Sequence, residues 1–382
     1  MKKVYFDSAA TTQLRSEVVQ CISDVLTTEY GNPSSTHSYG RSAKSLLENS
    51  RKDIAAHLNV SASEIIFTSG GTEADNLILN SCVRDLDVTR IISSKIEHHA
   101  VLYTINELQR TRKIQADFVK LDVCGRVDYD DLERLLKIDD KKTLVSLMHV
   151  NNEIGSVLDL KRVALMCKEY NALFHSDTVQ SVGHFEMDFS EIPIDFAAVA
   201  AHKFHGPKGA GFAFIRKTNR VQPLIFGGEQ ERGLRAGTEA VYAIVGMAEA
   251  LKISYQNLEK EKKYITGIKD YFKSEISKAI PGVKFNGACD DNSKSTYTVL
   301  NICFPIPPEK ALLLLFQLDL NGIACSKGSA CQSGSSQGSH VLNSILSDED
   351  LMKPSIRFSF CVFNTKEEVD YVVKVLKEFV EN

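Results

Sequence analysis

Short apolar runs alternate with amphipathic stretches over the first half of the chain. The apolar runs that we predict to be strands are 64–68, 90–93, 143–149, 172–175 and 194–200. Stretches with helical periodicity separate them, up to about residue 216. Since strand–helix–strand repeats place successive strands side by side in the same direction, the pattern predicts a mostly parallel sheet flanked by helices.

The pattern changes after this region. A long charged amphipathic stretch, 238–280, predicts one or two helices that lead away from the sheet, and a strand, a helix, a loop rich in glycine and serine, a strand and a final helix follow it. This order is typical of a small α+β domain. We therefore predict an N-terminal segment (1–15) that joins the small domain, a large domain (16–255) and a small C-terminal domain (256–382).

Composition narrows the class of protein. The chain has 382 residues and a formal net charge of −4 with both signs interspersed, so we expect neither nucleic acid nor a membrane surface as a partner. The N-terminus lacks the apolar core of a signal peptide, which predicts a cytoplasmic protein. Nine scattered cysteines without a Cys-x-x-Cys pair argue against a disulfide framework and against a zinc site.

A lysine and an aspartate follow two neighbouring predicted strands. Lys203 comes after the run 194–200, and Asp177 comes after the run 172–175. A lysine in a partly dry cleft has a nucleophilic amine that binds an aldehyde, and an aspartate holds a pyridine nitrogen protonated. The pair suggests pyridoxal phosphate, whereas each residue alone is more typical of a solvated cation or a turn.

Three further polar motifs come directly after predicted strands, where ligands of an open parallel sheet bind. Gly71 and Thr72 open a predicted helix whose free amides suit a phosphate, but a capped turn explains them equally well. His98 or His99 either stacks on a ring or begins a helix. Asn152 either donates to a ring hydroxyl or forms a turn. The residues alone leave these alternatives open.

Together with six other segments, these motifs form an ordered series along nearly the whole chain. The series comprises 6–12, 30–35, Gly-Gly-Thr-Glu, Glu-His-His-Ala, Asn-Asn-Glu-Ile-Gly, 202–209, 227–238, 328–331 and 356–359. It resembles fold-type I pyridoxal phosphate enzymes of the class V aminotransferase branch, and among them the group I cysteine desulfurases of the NifS/IscS type. The resemblance implies an α/β fold with a mostly parallel seven-stranded sheet flanked by helices and a small α+β C-terminal domain.

By this resemblance the cofactor is pyridoxal 5′-phosphate. Lys203 is expected to bind it covalently, Asp177 to pair with its ring nitrogen and His98 to stack on its ring. The further contacts that the resemblance implies are Asn152 and Gln180 at the ring hydroxyl and Gly71, Thr72 and His202 at the phosphate. Thr238 is expected to reach the phosphate of a neighbouring subunit, which implies a homodimer.

The resemblance also implies the reaction, which is the conversion of L-cysteine to L-alanine. Arg357 and Asn32 are expected to bind the substrate carboxylate, which suits the fork of a guanidinium group. Lys203, His98 and Cys331 are the expected catalytic residues. Cys331 would take the sulfur as a persulfide, since a thiolate is a competent nucleophile.

Two departures from the family pattern affect these expectations. Ala200 stands where a serine often donates a hydrogen bond to the phosphate, so we expect weaker cofactor binding. Asn382 follows the last predicted helix without the extension that docks an iron–sulfur scaffold in housekeeping members. The acceptor therefore stays open between such a scaffold and a tRNA thiolation enzyme. The alternative function is a selenocysteine lyase or another class V lyase or aminotransferase.

Overall fold

Helices and short strands alternate in the computed structural model, which describes residues 2–289, 291–327 and 338–381. Its helices are α1 (Ser16–Thr28), α2 (Ser38–His57), α3 (Gly71–Asp85), α4 (His99–Arg112), α5 (Tyr129–Leu136), α6 (Leu160–Glu169), α7 (Val241–Gln256), α8 (Leu258–Ala279), α9 (Pro308–Leu320), α10 (His340–Asn343), α11 (Asp348–Leu351) and α12 (Lys366–Glu381). Its strands are β1 (Val4–Tyr5), β2 (Ile65–Thr68), β3 (Arg90–Ser93), β4 (Gln115–Phe118), β5 (Thr143–Ser146), β6 (Leu173–Asp177), β7 (Phe196–Ala200), β8 (Gly211–Ile215), β9 (Lys284–Phe285), β10 (Val299–Cys303), β11 (Ile323–Ala324) and β12 (Ser355–Ser359). Within the described ranges, no helix is both long and apolar enough to cross a membrane.

A seven-stranded sheet with the order β2-β8-β7-β6-β5-β3-β4 forms the centre of the fold. Its strands pair in parallel except for β8, which is antiparallel to both β2 and β7. The predicted mostly parallel seven-stranded sheet is therefore confirmed. The individual strand predictions omitted β4 and β8, and β4 is only half-buried and mixes polar with apolar residues, so it lacks an apolar run.

Both faces of this sheet are buried. In β7, Phe196 and Ala198 pack into the core that includes α3 and α4, whereas Ala197 and Val199 pack into the core that includes α6 and α7. Successive residues of a strand point to opposite faces, so a strand covered on both sides must be apolar at every position. This explains why the run 194–200 is continuous rather than alternating.

A second core surrounds the antiparallel sheet β12-β10-β9. Phe272 of α8 lies 5.8 Å from Phe6, 4.9 Å from Phe358 and 5.7 Å from Phe360, measured between ring centroids. The N-terminal strand β1 pairs with β11, which brings the start of the chain into this region. The domain limits at 15 and 255 stay predictions.

The parallel strands direct their carboxyl ends to one edge of the large sheet. Thr68 at the end of β2 and Ala200 at the end of β7 both pair with Gly211 of β8. A Cβ atom at Gly211 would lie 2.7 Å from the Cα atom of Gly70, so glycine permits the close approach of the loop before α3. The segments that follow these strands therefore meet in space.

Candidate active site

A cavity of about 200 Å³ lies at this edge of the sheet. Segments that follow five strands of the large sheet border it, together with β12 and the N-terminal segment. The predicted site residues that line it are Gly71, Thr72, His98, Asn152, Asp177, Gln180, His202, Lys203 and Arg357. Residues that are distant in sequence thus converge on one cavity.

Lys203 ends a single 3-10 turn, Ala201–Lys203, that follows β7 directly. Its Nζ atom donates hydrogen bonds to the carbonyl oxygens of Ala9 at 2.6 Å and Ala10 at 2.7 Å. The N-terminal segment thereby holds the Nζ atom at the cavity. A lysine in this place is available to an aldehyde that enters the cavity.

Asp177 ends β6 and is almost fully buried. Its Oδ1 atom accepts a hydrogen bond from the backbone N–H of Val179 at 2.9 Å. Burial raises the pKa of Asp177, while His98, the hydrogen bond from Val179 and Lys203 act in the opposite direction. A cationic ring nitrogen beside this carboxylate would stabilise its charged form further.

His98 and His99 have different surroundings, which resolves the alternative that the sequence left open. His98 caps the N-terminus of α4, where its Nδ1 atom accepts a hydrogen bond from the N–H of Ala100 at 3.1 Å, and its ring borders the cavity. Burial lowers the pKa of His98. His99 points away from the cavity and stacks on Tyr103 at 4.7 Å. His98 is therefore the residue placed to contact a bound ring.

The first turn of α3 forms one end of the cavity. Gly70 precedes the helix with φ 154° and supplies no side-chain cap, so the first N–H groups of α3 keep their capacity to bind an anion. Thr72 and His202 border the same cavity. Burial lowers the pKa of His202 to about 4, so its ring is neutral near pH 7 and donates one N–H. This end suits a phosphate group.

The paired asparagines after β5 serve different purposes. Asn151 is fully buried and holds the turn, because its Oδ1 atom accepts from the N–H groups of Glu153 and Ile154. Asn152 borders the cavity instead. Gln180 also borders it, and its Nε2 atom donates to the carbonyl oxygen of Ala9 at 2.9 Å. Two amide side chains are thus available beside Lys203.

Arg357 reaches the cavity from β12 of the second core. Its guanidinium group donates to Oδ1 of Asp7 at 2.8 Å and to the carbonyl oxygen of Asn152 at 2.8 Å. The side chain is 1% exposed, and its Nε atom is buried and has no hydrogen-bond partner among the described residues. A buried guanidinium with unused donor capacity suits a carboxylate ligand.

Three predicted site residues lie elsewhere. Asn32 does not border the cavity, because it is exposed in the loop before α2 and its Oδ1 atom accepts from the N–H of Ser34 at 2.9 Å. The prediction that Asn32 binds the substrate carboxylate is therefore not met within one chain. Thr238 is also exposed and is not among the residues that line the cavity. Cys331 lies outside the described residues.

Sequence reasoning missed Asp75, which also lines the cavity and is 1% exposed. It follows Gly71 by four residues, so it lies one helical turn further along the same face of α3. Its Oδ1 atom is 3.3 Å from Nε2 of His175. That spacing was a usable signal, since the predicted phosphate site already assigned this face of α3 to the cavity.

The donor set fits pyridoxal phosphate. A lysine amine, a buried aspartate and an open helix start offer partners for an aldehyde, a ring nitrogen and a phosphate. A Cβ atom at Gly71 would lie 2.6 Å from Cγ2 of Val179, which also lines the cavity, so the glycine keeps this end open. Apart from Thr238, the residues that would hold the cofactor therefore line one cavity.

Comparison with known proteins agrees with this geometry. The family model for aminotransferase class V matches residues 4–372. The cysteine desulfurase IscS of Dictyoglomus turgidum is 40% identical over 382 residues, which cover 100% of this chain and 95% of the relative. The putative cysteine desulfurase IscS 1 of Bacillus subtilis is 39% identical over 384 residues, which cover 100% of this chain and 99% of the relative.

Solved structures show the same likeness. A NifS-like protein superposes with a TM-score of 0.90 at 35% identity, with full coverage of both chains. The structure of SspA in complex with cysteine superposes with a TM-score of 0.79 at 28% identity and covers 95% of this chain and 100% of that one. The fold is therefore shared with proteins of the NifS type.

Proposed function

The chain belongs to the class V aminotransferase family, and we propose that it is a pyridoxal phosphate-dependent cysteine desulfurase that converts L-cysteine to L-alanine. The observation that carries the proposal is the convergence of nine predicted site residues on one cavity, in a chain that is 40% identical over its full length to a cysteine desulfurase. The curated relatives named above are both cysteine desulfurases, which favours this activity over a selenocysteine lyase or an aminotransferase.

The cavity residues divide the binding of the cofactor among them. Lys203 would attach the aldehyde, Asp177 would pair with the ring nitrogen, and His98 would lie on the ring. When bound, the protonated ring accepts electron density from the substrate carbon. Thr72, His202 and the first turn of α3 would hold the phosphate. Asn152 and Gln180 remain for the ring hydroxyl.

Arg357 would bind the carboxylate of L-cysteine. Asp7 and the carbonyl oxygen of Asn152 fix its guanidinium group at 2.8 Å each, so its orientation is set before the substrate arrives. A released Lys203 amine is placed to move a proton at the substrate, because the lysine lies in the same cavity as Arg357. These two side chains fix the substrate and its proton acceptor.

Cys331 is the proposed sulfur acceptor, although it lies outside the described residues. The residues on both sides of 328–337 are attached to the rim of the cavity. Ser326 forms a backbone bridge with Arg357, Ser339 donates to the carboxylate of Glu153, and Nε2 of His340 lies 2.9 Å from the carbonyl oxygen of Glu97. In the sequence, Cys331 lies between these attachments.

The exposed side of the molecule supports our inference of a homodimer. Tyr30, Tyr39, Phe226 and Tyr242 are large exposed aromatic residues, which we call the aromatic surface. A small cluster of Val25, Ala43 and Val241 joins the ends of α1, α2 and α7 beneath it. In the sequence, Asn32 is two residues from Tyr30 and Thr238 is four residues from Tyr242. Exposed aromatic residues of this kind mark interfaces, so we infer that both polar residues reach the cavity of a second subunit.

We propose only the chemical class of the physiological sulfur acceptor. It would be a protein with a reactive thiol, such as an iron–sulfur scaffold or a tRNA thiolation enzyme. The cytoplasmic location stays a prediction from the N-terminal sequence.

The function is tested by the alanine that the purified, cofactor-loaded protein releases from L-cysteine in the presence of a thiol reductant. Wild-type protein is expected to release alanine, and Cys331→Ala is expected to lose the activity while it keeps the visible absorbance of the cofactor. Cys21→Ala is the matched control, because Cys21 lies on α1 away from the cavity. Equal activity of wild type and Cys331→Ala would contradict the proposal.

A further inference from the structure

A second acidic residue lies beside Asp177. Asp75 of α3 and His175 of β6 are both almost fully buried, and Oδ1 of Asp75 is 3.3 Å from Nε2 of His175. Neither atom has another hydrogen-bond partner within the described chain. A buried polar atom without a hydrogen bond destabilises the fold. Within the described chain, both atoms can avoid this only by a hydrogen bond to each other, which requires a proton on one of them.

The neighbourhood of Asp75 decides which of the two atoms carries that proton. Ligand atoms of Asp75, His98 and Asp177 all lie within 4.8 Å of one another. Two carboxylates this close in a buried site repel each other, so one of them retains a proton. The identity of the protonated residue follows from their different partners.

Asp177 has groups that stabilise its charge, whereas Asp75 has none within the described part of the chain. The N–H of Val179 donates to Asp177, and the charges of His98 and Lys203 favour its anionic form. The groups that act on Asp75 are acidic, namely Asp177 and Glu97, and together with burial they raise the pKa of Asp75 well above its ordinary value. The proton therefore belongs to Asp75.

We propose that Asp75 is a protonated positioning residue, which donates a hydrogen bond to Nε2 of His175 and leaves Asp177 as the single carboxylate that faces the ring nitrogen of the cofactor. The part of this inference that concerns the cofactor rests on the function proposed above. The protonation of the pair itself is a property of the chain.

The pair predicts one tautomer of His175. Burial lowers the pKa of His175 to about 3, so its ring is neutral and carries one N–H. Nδ1 of His175 lies 2.9 Å from Oγ of Ser146. If Asp75 donates to Nε2, the ring proton must reside on Nδ1 and point to Ser146. An anionic Asp75 would require the opposite tautomer, with the proton on Nε2.

The tautomer is measured by ¹⁵N NMR of the full-length protein with labelled histidine, both without cofactor and after loading with pyridoxal phosphate. The signals of His175 are assigned by comparison with His175→Gln, or by through-bond correlation in wild-type protein if that variant does not fold. Protonated Nδ1 is the expected result, and protonated Nε2 would overturn the proposal. This measurement needs no enzymatic activity, so it can contradict the proposal for Asp75 without contradicting the desulfurase function.

Two isosteric variants test the consequence for the cofactor. Asp75→Asn keeps a neutral donor toward His175, so the dissociation constant of pyridoxal phosphate should change by less than about threefold, and the pH midpoint of its visible absorbance should stay in place. Asp177→Asn removes the proposed carboxylate and should weaken binding by about 100-fold. A midpoint that falls by about one pH unit in Asp75→Asn would mean that Asp75 carried a charge, which contradicts the proposal.

Discussion

The cavity and the aromatic surface contribute to the proposed active site in different ways. Lys203 and Arg357 are held inside one chain by backbone carbonyls, and Asp177 is held there by the N–H of Val179. Thr238 and Asn32 are exposed and do not line that cavity. We therefore expect one chain to supply most of the ring, phosphate and carboxylate contacts, and a second chain to add Thr238 and Asn32.

The contrast also predicts that mutations in the two regions have effects of different size. A buried group in the cavity sits among fixed charges, so its replacement changes both cofactor chemistry and protonation. An exposed group contributes one hydrogen bond that depends on dimerisation. The expected effects of mutation therefore decrease from the cavity to the surface.

Replacement of Lys203 should have the largest effect. Lys203→Ala removes the amine that would attach the cofactor and move the substrate proton, so alanine formation should fall by about 1,000-fold or more. The visible absorbance of the attached cofactor should also disappear. Lys208→Ala is the matched control, because Lys208 is exposed in the same loop and should leave both readouts nearly unchanged. Retained absorbance of the attached cofactor in Lys203→Ala would contradict the assignment of the cavity as the cofactor site.

Thr238→Ala tests the surface side of the comparison. The loss of one hydrogen bond to a charged phosphate should weaken pyridoxal phosphate binding by about 10-fold or more. The measurement is a cofactor titration of the dimer.

Mixed dimers decide whether Thr238 acts in its own chain or in its partner. A dimer of one Lys203→Ala chain and one Thr238→Ala chain keeps a single intact site only if Thr238 acts across the interface. We expect one site with wild-type cofactor affinity per dimer. A mixed dimer whose single attached cofactor binds as weakly as in Thr238→Ala would place the residue within its own chain.

The buried side chain of Glu97 should make the stability of the fold depend on pH. Its side chain is fully buried and accepts from Ser94 and from the N–H of Met148, and burial raises its pKa to about 8. Between pH 4.5 and 8 the folded chain holds this proton more tightly than the unfolded chain, so this contribution to stability is lost as pH rises.

The pH effect is measured as the free energy of unfolding between pH 6 and 8. Titration of Glu97 should lower the free energy of unfolding of the wild type by at most about 1.4 kcal/mol per pH unit, and Glu97→Gln should remove this decline. Glu107→Gln serves as the exposed control, since Glu107 pairs only with Arg110 on the surface. A wild-type slope equal to that of Glu97→Gln would show that Glu97 does not titrate in this range.

Ala200→Ser should have the smallest effect and an opposite sign. A hydroxyl at this cavity position adds a possible donor to the phosphate, so cofactor affinity should rise by about fivefold. Combined with Thr238→Ala, it should recover part of the lost affinity. No gain in either background would mean that the position does not face the phosphate.

The sequence predicted those parts of the site that follow apolar strands. Lys203 and Asp177 stand directly after such runs, and parallel pairing brings their ends together. Asp75 was not predicted as a cavity residue because it lies inside a helix, where a carboxylate usually faces solvent. The proposed roles of Asn32 and Thr238 would depend on a second chain, and no pattern of apolar residues within one chain specifies such a contact.

The most direct test of the account is peptide mass spectrometry of the cofactor-loaded protein after reaction with L-cysteine in the absence of reductant. The account predicts one additional sulfur atom on the peptide that contains Cys331 in wild-type protein, and none in Lys203→Ala. Alanine formation accompanied by sulfur on another cysteine, or by no added sulfur on the protein, would contradict it.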